Sequence, residues 1–186
     1  MQSTTLTNQF LIAMPGLADP NFFHTVTYIC AHNQDGAMGI IINRPLGLIL
    51  NDVLEQMEIK ADNYNIGETP IYQGGPVQSD RGFVLHKPIQ KWEYCIEICD
   101  EIGIATSRDI LKAIADGNGP ENSFIALGYA GWAAGQLEQE IKENAWLNAP
   151  ADSSIIFSTP VEQRWTDAVA LAGIDIEKLS THVGHA

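Results

Sequence analysis

A strong β-hairpin, which follows a first strand with no helix between them, constrains the fold most. Residues 9–14, QFLIAM, are predicted as the first strand, and TVTYICAH (25–32) alternates between two faces before the turn signal NQDG (33–36). AMGIIIN (37–43) completes the hairpin, and its three isoleucines indicate a strand buried on both faces. Three consecutive strands without a helix argue against the regular β-α-β order of a doubly wound parallel sheet.

The rest of the chain mixes strands and helices irregularly. Further strands are predicted at PIYQGGPV, RGFVLH, EYCIEIC, IGIA, SFIALGYA and SSIIFS, at positions 70–77, 81–86, 93–99, 102–105, 123–130 and 153–158. Four helices are predicted: after a cap at Asn51 or Asp52, at the capping box Thr106–Asp109, after Gly135, and from Thr159-Pro160. About nine strands and four helices in this order favour an α+β fold with much antiparallel pairing and helices packed outside.

Length and charge limit the possible functions. The 186 residues suit a single domain spanning 1–186, with a tail from 179 that is expected to be loose. The chain has 23 acidic residues against 10 Lys and Arg, a net charge of −13, and the basic residues do not cluster. Since a DNA-binding protein needs a basic stripe to displace counterions, direct DNA binding is disfavoured. Attachment to an anionic membrane surface is disfavoured for the same reason.

The N-terminus and the cysteines predict a cytoplasmic protein. MQSTTLTNQFLIAMPG lacks a basic region and a long apolar run, so it does not match a signal peptide. No segment approaches the ~18 apolar residues of a membrane helix. Three cysteines, an odd number, fit a reducing compartment.

The stretch GYAGWAAGQLEQEIKENAW (128–146) places three glycines where a strand gives way to a helix. A strand, a glycine-rich turn and a helix N-terminus commonly bind phosphate. The P-loop ending Gly-Lys-Ser/Thr is absent, however, because Gln136 and Leu137 follow the last glycine. Three glutamates in the helix would also repel a phosphate. Close packing of helix on sheet is therefore favoured, and a ligand held by backbone N–H groups and Gln136 is the alternative.

Two further motifs are candidate sites. Asn43-Arg44-Pro45 ends a buried strand, where Arg44 would be placed to orient an anion bidentately. An ion pair of Arg44 with a carboxylate such as Asp19 or Asp52 is the favoured alternative. The Gly74-Gly75 pair permits close approach of another chain or a ligand, although a tight connection is the commoner role.

Catalytic and metal-binding patterns are missing. The chain has no H-E-x-x-H, C-x-x-C or G-x-S-x-G motif, so no catalytic residue, metal or cofactor is predicted. Cys95 and Cys99 lack a second cysteine pair that would complete a tetrahedral site. Two of the five histidines, His182 and His185, fall in the tail.

The motifs MPGLADPNFFHTVTYICAH, GAMGIIINRP, QGGPV, RGFVLH, ATSRDIL and GYAGWAAGQLEQEIKENAWL, in that order, resemble the AlgH/YqgE family of bacterial proteins. The resemblance covers about residues 6–172, so residues 1–5 are also expected to be loose. It implies a single α+β domain with a mixed, largely antiparallel, bifurcated sheet that forms a pseudo-barrel, with helices packed outside. Members are cytosolic and often labelled transcriptional regulators, and the family has no agreed catalytic residues.

The resemblance and the residues together favour a non-enzymatic regulatory or binding module that acts through a protein or small-molecule partner. The motif positions supply these candidate ligand-binding residues: Asn43, Arg44, Gly74, Gly75, Gly131, Trp132 and Gln136. One alternative is an enzyme with an unrecognised site near Arg44, the Gly74-Gly75 loop and the Gly128–Gln136 turn. The other is a regulator that binds DNA directly, which the charge disfavours. Neither the partner nor the oligomeric state is predicted.

Overall fold

The computed structural model describes residues 4–17, 19–60 and 64–175, which form a curled sheet with helices against it. The strands are β1 Gln9–Ala13, β2 Val26–Asn33, β3 Gly36–Ile41, β4 Pro45–Ile49, β5 Pro70–Gln73, β6 Val77–Lys87, β7 Cys95–Glu97, β8 Gly103–Ala105, β9 Asn122–Ala133 and β10 Trp146–Pro150. The helices are α1 Leu50–Gln56, α2 Tyr64–Gly67, α3 Arg108–Ala115, α4 Gln136–Lys142, α5 Ser153–Phe157 and α6 Arg164–Leu171, and a 3-10 turn, Val161–Gln163, precedes α6. The expected loose tail from 179, with His182 and His185, lies outside the described residues.

The sheet is a half-barrel that forks at β9. Eight strands follow the order β10-β1-β2-β3-β9-β6-β8-β7, and every neighbouring pair on that path is antiparallel. One edge of β9 pairs with β6, while its other edge is shared by β3 at Gly131 and by the parallel strand β5 at Ala126. Strand β4 extends the branch by pairing with β5. The predicted α+β class with a bifurcated, largely antiparallel sheet is confirmed.

Glycines allow the backbones to meet at the fork. The Gly74 N–H donates to the Leu127 carbonyl at 2.8 Å, and the Gly74 carbonyl accepts from the Ile41 N–H at 2.8 Å. A Cβ atom on Gly74 would lie 2.3 Å from the Gly128 carbonyl oxygen, and one on Gly75 would lie 2.0 Å from a backbone carbon of β9. Any larger residue would push the strands apart, so this pair serves the close approach of another segment of the same chain.

Helices cover both faces of the sheet. Helices α5 and α6 pack Ile155 and Trp165 into one cluster with strand residues such as Phe124. Helices α1 and α3 pack Leu54 and Ile110 into a second cluster, and α4 joins a third through Leu137. A fully buried side chain of this size stabilises the fold by about 1.5–3 kcal/mol, so these contacts position the helices.

The segment SSIIFS, predicted as a strand, is helix α5, so that prediction is wrong. The Asp152 carboxylate accepts from the Ser154 N–H at 2.9 Å and caps the helix. Ile155 and Ile156 are both buried, and a short apolar run is equally consistent with a buried helix and a buried strand. The cap at Thr159 is also wrong, because its hydroxyl donates to the Ser154 carbonyl.

Other boundaries shift as well. GYAGWA is not a turn, because β9 continues to Ala133 and the turn to α4 is confined to residues 134–135. Strands β4 and β10 and helix α2 were not predicted. Helix α1 begins at Leu50, so Asn51 and Asp52 lie inside it, and helix α3 begins after Ser107.

Within the described ranges, no helix has the length and apolar character needed to cross a bilayer.

Candidate functional site

Asn43 and Arg44 fasten the loop that joins β1 to β2. The Asn43 Oδ1 accepts from the Val26 N–H at 2.9 Å, and its Nδ2 donates to the His24 carbonyl at 3.0 Å. The Arg44 guanidinium donates to three backbone carbonyls within residues 20–23, two of them at 2.9 and 3.0 Å. These five bonds replace strand pairing where the chain leaves the sheet, so both side chains have a structural role.

The predicted ion pair of Arg44 with Asp19 or Asp52 is wrong. Among the described residues, no carboxylate oxygen lies within 4.0 Å of the Arg44 guanidinium. The Asp52 carboxylate accepts from the Ile49 N–H at the start of α1. Burial lowers the pKa of Arg44, and the charge of Asp19 opposes that effect. Neutral carbonyls satisfy the guanidinium because its five donors fit several acceptors of one loop.

A single carboxylate on α4 holds two tryptophans. Glu140 Oε2 accepts from the indole Nε1 of Trp132 at 2.9 Å and from that of Trp146 at 2.8 Å. Its Oε1 accepts from Gln136 Nε2 at 3.0 Å, while Gln136 Oε1 accepts from the Ala133 N–H at 3.0 Å. The stretch 128–146 therefore joins β9, α4 and β10, which agrees with packing as the favoured interpretation.

The loop held by Arg44 continues into this cluster. Phe22 lies between residues whose carbonyls Arg44 binds, and its ring stacks on Trp132 with centroids 6.1 Å apart. The same ring meets Trp146 edge to face at 5.5 Å. Asn43-Arg44 and the stretch 128–146 are thus neighbours, but aromatic packing joins them.

The seven candidate ligand residues separate into two groups. Five make the structural contacts described above: Asn43, Arg44, Gly74, Gly75 and Gln136. The other two, Gly131 and Trp132, line an open groove, and the Trp132 indole also makes the contacts with Glu140 and Phe22 described above. The enzyme alternative expects Arg44 to converge with both glycine segments. The two glycine segments do meet at the fork, but the Arg44 donors are directed to loop carbonyls.

The groove is the concave face of the half-barrel and has a volume of about 900 Å³. The β2–β3 hairpin, from Asn33 to Met38, lines one side, and the edge of β7 with the residues before it, 93–96, lines the other. Between them, alternate positions of the inner strands supply apolar side chains: Val77, Phe83, Ile104 and Tyr129. The Phe83 and Tyr129 rings meet edge to face at 5.6 Å. An apolar floor with few polar groups is typical of a binding site.

Charges lie at the margins of this groove. The Arg81 guanidinium lies over the Phe83 ring at 5.5 Å and donates to Gln78 Oε1 at 3.3 Å. Asp35 and Glu93 contribute carboxylates to the lining. The groove therefore offers one cation, held against an aromatic floor, and two acidic positions at its rim.

Titratable groups elsewhere serve the fold. Within the residues that the structure describes, no group of three or more His, Cys, Asp and Glu side chains is arranged to hold a metal ion. Burial, then the charges of nearby cysteines, raises the pKa of Tyr28, whose hydroxyl donates to Asn8 Oδ1 at 2.7 Å. Burial also raises the pKa of the Cys30 thiol. Both side chains are therefore neutral at ordinary pH.

Several groove residues were missed from the sequence. Arg81 and Phe83 stand two apart in RGFVLH, which is the spacing of one strand face, and this pattern was available. The exposure of Tyr94 and Ile96, at 66% and 63%, required knowledge that β7 is an edge strand. The sequence analysis considered Glu140 only as one of the negative charges on its helix. Sequence spacing does not indicate that its carboxylate accepts hydrogen bonds from two indole N–H groups.

Comparisons with known proteins place the chain in one family. A family model described as AlgH-like matches residues 10–177. A UPF0301 protein of Nitrosococcus oceani is 58% identical and one of Thioalkalivibrio sulfidiphilus is 56% identical. These alignments cover 96% and 99% of this chain, and 96% and 98% of the relatives.

Solved structures agree with this assignment. The solution structure of the AlgH protein from Pseudomonas aeruginosa superposes with a TM-score of 0.82 at 50% identity, and each chain is covered fully. A crystal structure of a Corynebacterium diphtheriae protein has a TM-score of 0.71 at 19% identity, over 91% of this chain and 88% of the other, and so shows the fold alone. With the family model spanning most of the chain and relatives more than half identical, the protein belongs to the AlgH-like family.

Proposed function

We propose that this protein is a cytoplasmic, non-enzymatic regulatory module that binds a protein or small-molecule partner in the half-barrel groove. One observation carries the proposal: three of the eight large apolar side chains that are exposed among the described residues, including the two most exposed, line one concavity. Val77, Tyr94 and Ile96 are 36%, 66% and 63% exposed, and all three line the groove. A concave apolar surface that water must cover is the usual mark of a binding site.

The charge of the chain supports a partner other than DNA. At −13 the protein repels a phosphate backbone, and Arg81 is the single Lys or Arg among the groove-lining residues. A regulatory effect of this protein would therefore pass through its partner. A gel-shift titration at low salt checks this point: we expect no retardation of duplex DNA, and salt-sensitive retardation would restore the DNA alternative.

The experiment compares three tagged proteins in extract of the source cytosol. The wild type is compared with Ile96→Arg, which blocks the groove, and with Leu171→Arg, which makes the same change at an apolar residue 41% exposed on α6. Proteins and metabolites retained by each bait are identified together.

The expected result is a partner enriched on the wild type and on Leu171→Arg and reduced at least tenfold on Ile96→Arg. Equal retention on all three baits, or no enriched molecule at all, contradicts a groove-based binding function. Thermal unfolding of each variant controls for folding, since both substitutions are on the surface and should cost less than ~0.5 kcal/mol.

A further inference from the structure

We propose that the partner is an extended peptide segment that adds to the free edge of β7 as a new strand and lays alternate side chains along the groove floor. This inference rests on the groove being a binding site. It names the class of partner: a stretch with alternating apolar residues and with Lys or Arg at its margins. Strand addition of this kind draws affinity from main-chain hydrogen bonds and specificity from pockets for every second side chain.

The hydrogen-bond pattern shows which groups of β7 are free. In the antiparallel β7–β8 pair, the Thr106 N–H donates to the Tyr94 carbonyl at 3.0 Å, and the Ile98 N–H donates to the Ile102 carbonyl at 2.9 Å. Antiparallel pairs alternate between bonded and non-bonded positions. Cys95 and Glu97 therefore occupy non-bonded positions, where the N–H and C=O point away from β8. Among the described strands, β7 pairs with β8 alone, so these groups face the open edge.

That edge faces into the groove. The adjacent β7 residues Cys95 and Ile96 line the concavity, together with the two residues that precede the strand, 93 and 94. A strand that presents one face contributes every second residue, whereas a strand that presents its edge contributes consecutive ones. An added strand would lie beside β7 between this edge and the β2–β3 hairpin. Its inward side chains would meet the apolar floor formed by Phe83, Ile104 and Tyr129.

The two other free edges are poorer templates. All five residues of β4 are exposed, but its pairing shifts register between Pro45 and Leu48, and Gly47 between them has a φ of +77°. The ladder of unpaired groups on β4 is therefore irregular. Strand β10 ends at Pro150, which has no N–H, and helices α4 and α6 contact it. Of the three sheet edges in the described residues, β7 alone combines a regular edge with an adjoining apolar groove.

Charge indicates the flanks of the partner. Asp35 and Glu93 line the groove, and Glu97 stands on the edge strand itself. Within the described residues, no Lys or Arg nitrogen lies within 4.0 Å of these three carboxylates. A partner bearing Lys or Arg at its margins would pair with them, while the whole chain, at −13, repels an acidic segment.

The test begins with selection of a phage-displayed library of random dodecapeptides on the wild-type protein. In parallel, a small-molecule fragment library is screened by amide chemical shifts of the labelled protein. For selected peptides, amide hydrogen exchange of Cys95 and Glu97 is measured with and without peptide. Synthetic versions carry N-methyl groups on alternate amides, which block one edge of the added strand and leave the side chains unchanged.

Two protein variants separate the backbone from the charge. Glu97→Pro removes an outward N–H without breaking the β7–β8 ladder, because that N–H does not bond to β8. Glu97→Gln keeps the N–H and removes the charge. We expect selected peptides to slow exchange of both amides at least tenfold and to bind Glu97→Pro at least tenfold more weakly than Glu97→Gln. N-methylation in one of the two alternating registers should weaken binding by a similar factor.

Three outcomes overturn the inference. Peptides that bind with no protection of Cys95 and Glu97 would place the partner elsewhere. Fragments that shift groove amides while no peptide is selected would leave the groove a binding site but exclude strand addition. If neither library perturbs the groove, the proposed function fails together with this inference.

Discussion

The carboxylate of Glu140 should contribute more to stability than any other glutamate on α4. It accepts hydrogen bonds from two indole N–H groups, on Trp132 and Trp146, which are 6% and 4% exposed. Each bond to a charged acceptor is worth about 1.5–3 kcal/mol, and a buried donor left without a partner costs about 1–3 kcal/mol. Since Glu140 is partly exposed, water can enter the space that its carboxylate leaves and accept from the indole N–H groups in part. Glu140→Ala should therefore lower the free energy of unfolding by about 3 kcal/mol.

The assay is urea denaturation at pH 7, followed by tryptophan fluorescence and by far-UV circular dichroism. In a parallel thermal scan, a loss of ~3 kcal/mol corresponds to a fall in Tm of roughly 6–12 °C for a chain of this size. Glu140→Gln keeps one acceptor oxygen and should lose about half as much. The control is Glu143→Ala on the same helix, which loses an exposed bond to Gln139 and should change stability by less than ~0.5 kcal/mol. If Glu140→Ala falls within 0.5 kcal/mol of that control, the two indoles do not depend on this carboxylate.

Three other substitutions probe the fold by the same denaturation assay. Gly74→Ala should lower the free energy of unfolding by about 1–3 kcal/mol or more, because the new Cβ would lie 2.3 Å from a backbone oxygen at the fork. A Cβ on Gly16 would have nothing within 4 Å, so Gly16→Ala should leave stability unchanged. Equal stability of the two variants would contradict a tight fork. Asp152→Ala should cost about 1 kcal/mol by removing the cap of α5, with Asp152→Asn retaining most of it, and no loss in the alanine variant would mean that the cap does not matter. A hydrogen bond with His32 lowers the pKa of Glu138. The contribution of this bond to folding stability is therefore present above the ordinary pKa of 4.5 and is lost as pH falls through the lowered value. Glu138→Gln should flatten the acid side of the plot of stability against pH, and an unchanged slope would contradict this.

The sequence was most informative where local signals and burial agree. The hairpin was predictable because the alternation of β2 and the Asp-Gly turn signal point to the same pairing. The apolar stripe of α3 also agrees with its burial, since Ile110, Leu111 and Ile114 recur at helical spacing and all lie inside. In both cases the information lies within a dozen residues.

Errors occurred where a distant contact decides the local structure. The isoleucines of SSIIFS are buried by α6 and the sheet, and burial on all sides removes the periodicity that separates a helix from a strand. Strand β10 forms because it pairs with β1. Trp146 of β10 lies opposite Ala13 of β1, which is far away in the sequence, near the N-terminus. Neither the burial of these isoleucines nor the pairing of β10 with β1 can be inferred from the spacing of residues in the sequence.

The site shows the same division. Glycines and Arg44 stand out in a sequence, and the structure uses them to fasten a loop and join the sheet at its fork. The groove is made of ordinary residues such as Ile104 and Tyr129, which become a surface only when the sheet curls and β7 is left at its edge. A surface assembled from six strands has no linear motif.

The groove as the binding surface is tested most directly by hydrogen exchange of the complex with a captured partner. Mass-spectrometric exchange of the wild type, with and without that partner, reports protection along the described chain. We expect slower exchange concentrated in residues 93–97, of which 93–96 line one side of the groove, and in the hairpin at 35–38, which lines the other side. Protection elsewhere, with these two segments exchanging at their free rates, would contradict the account.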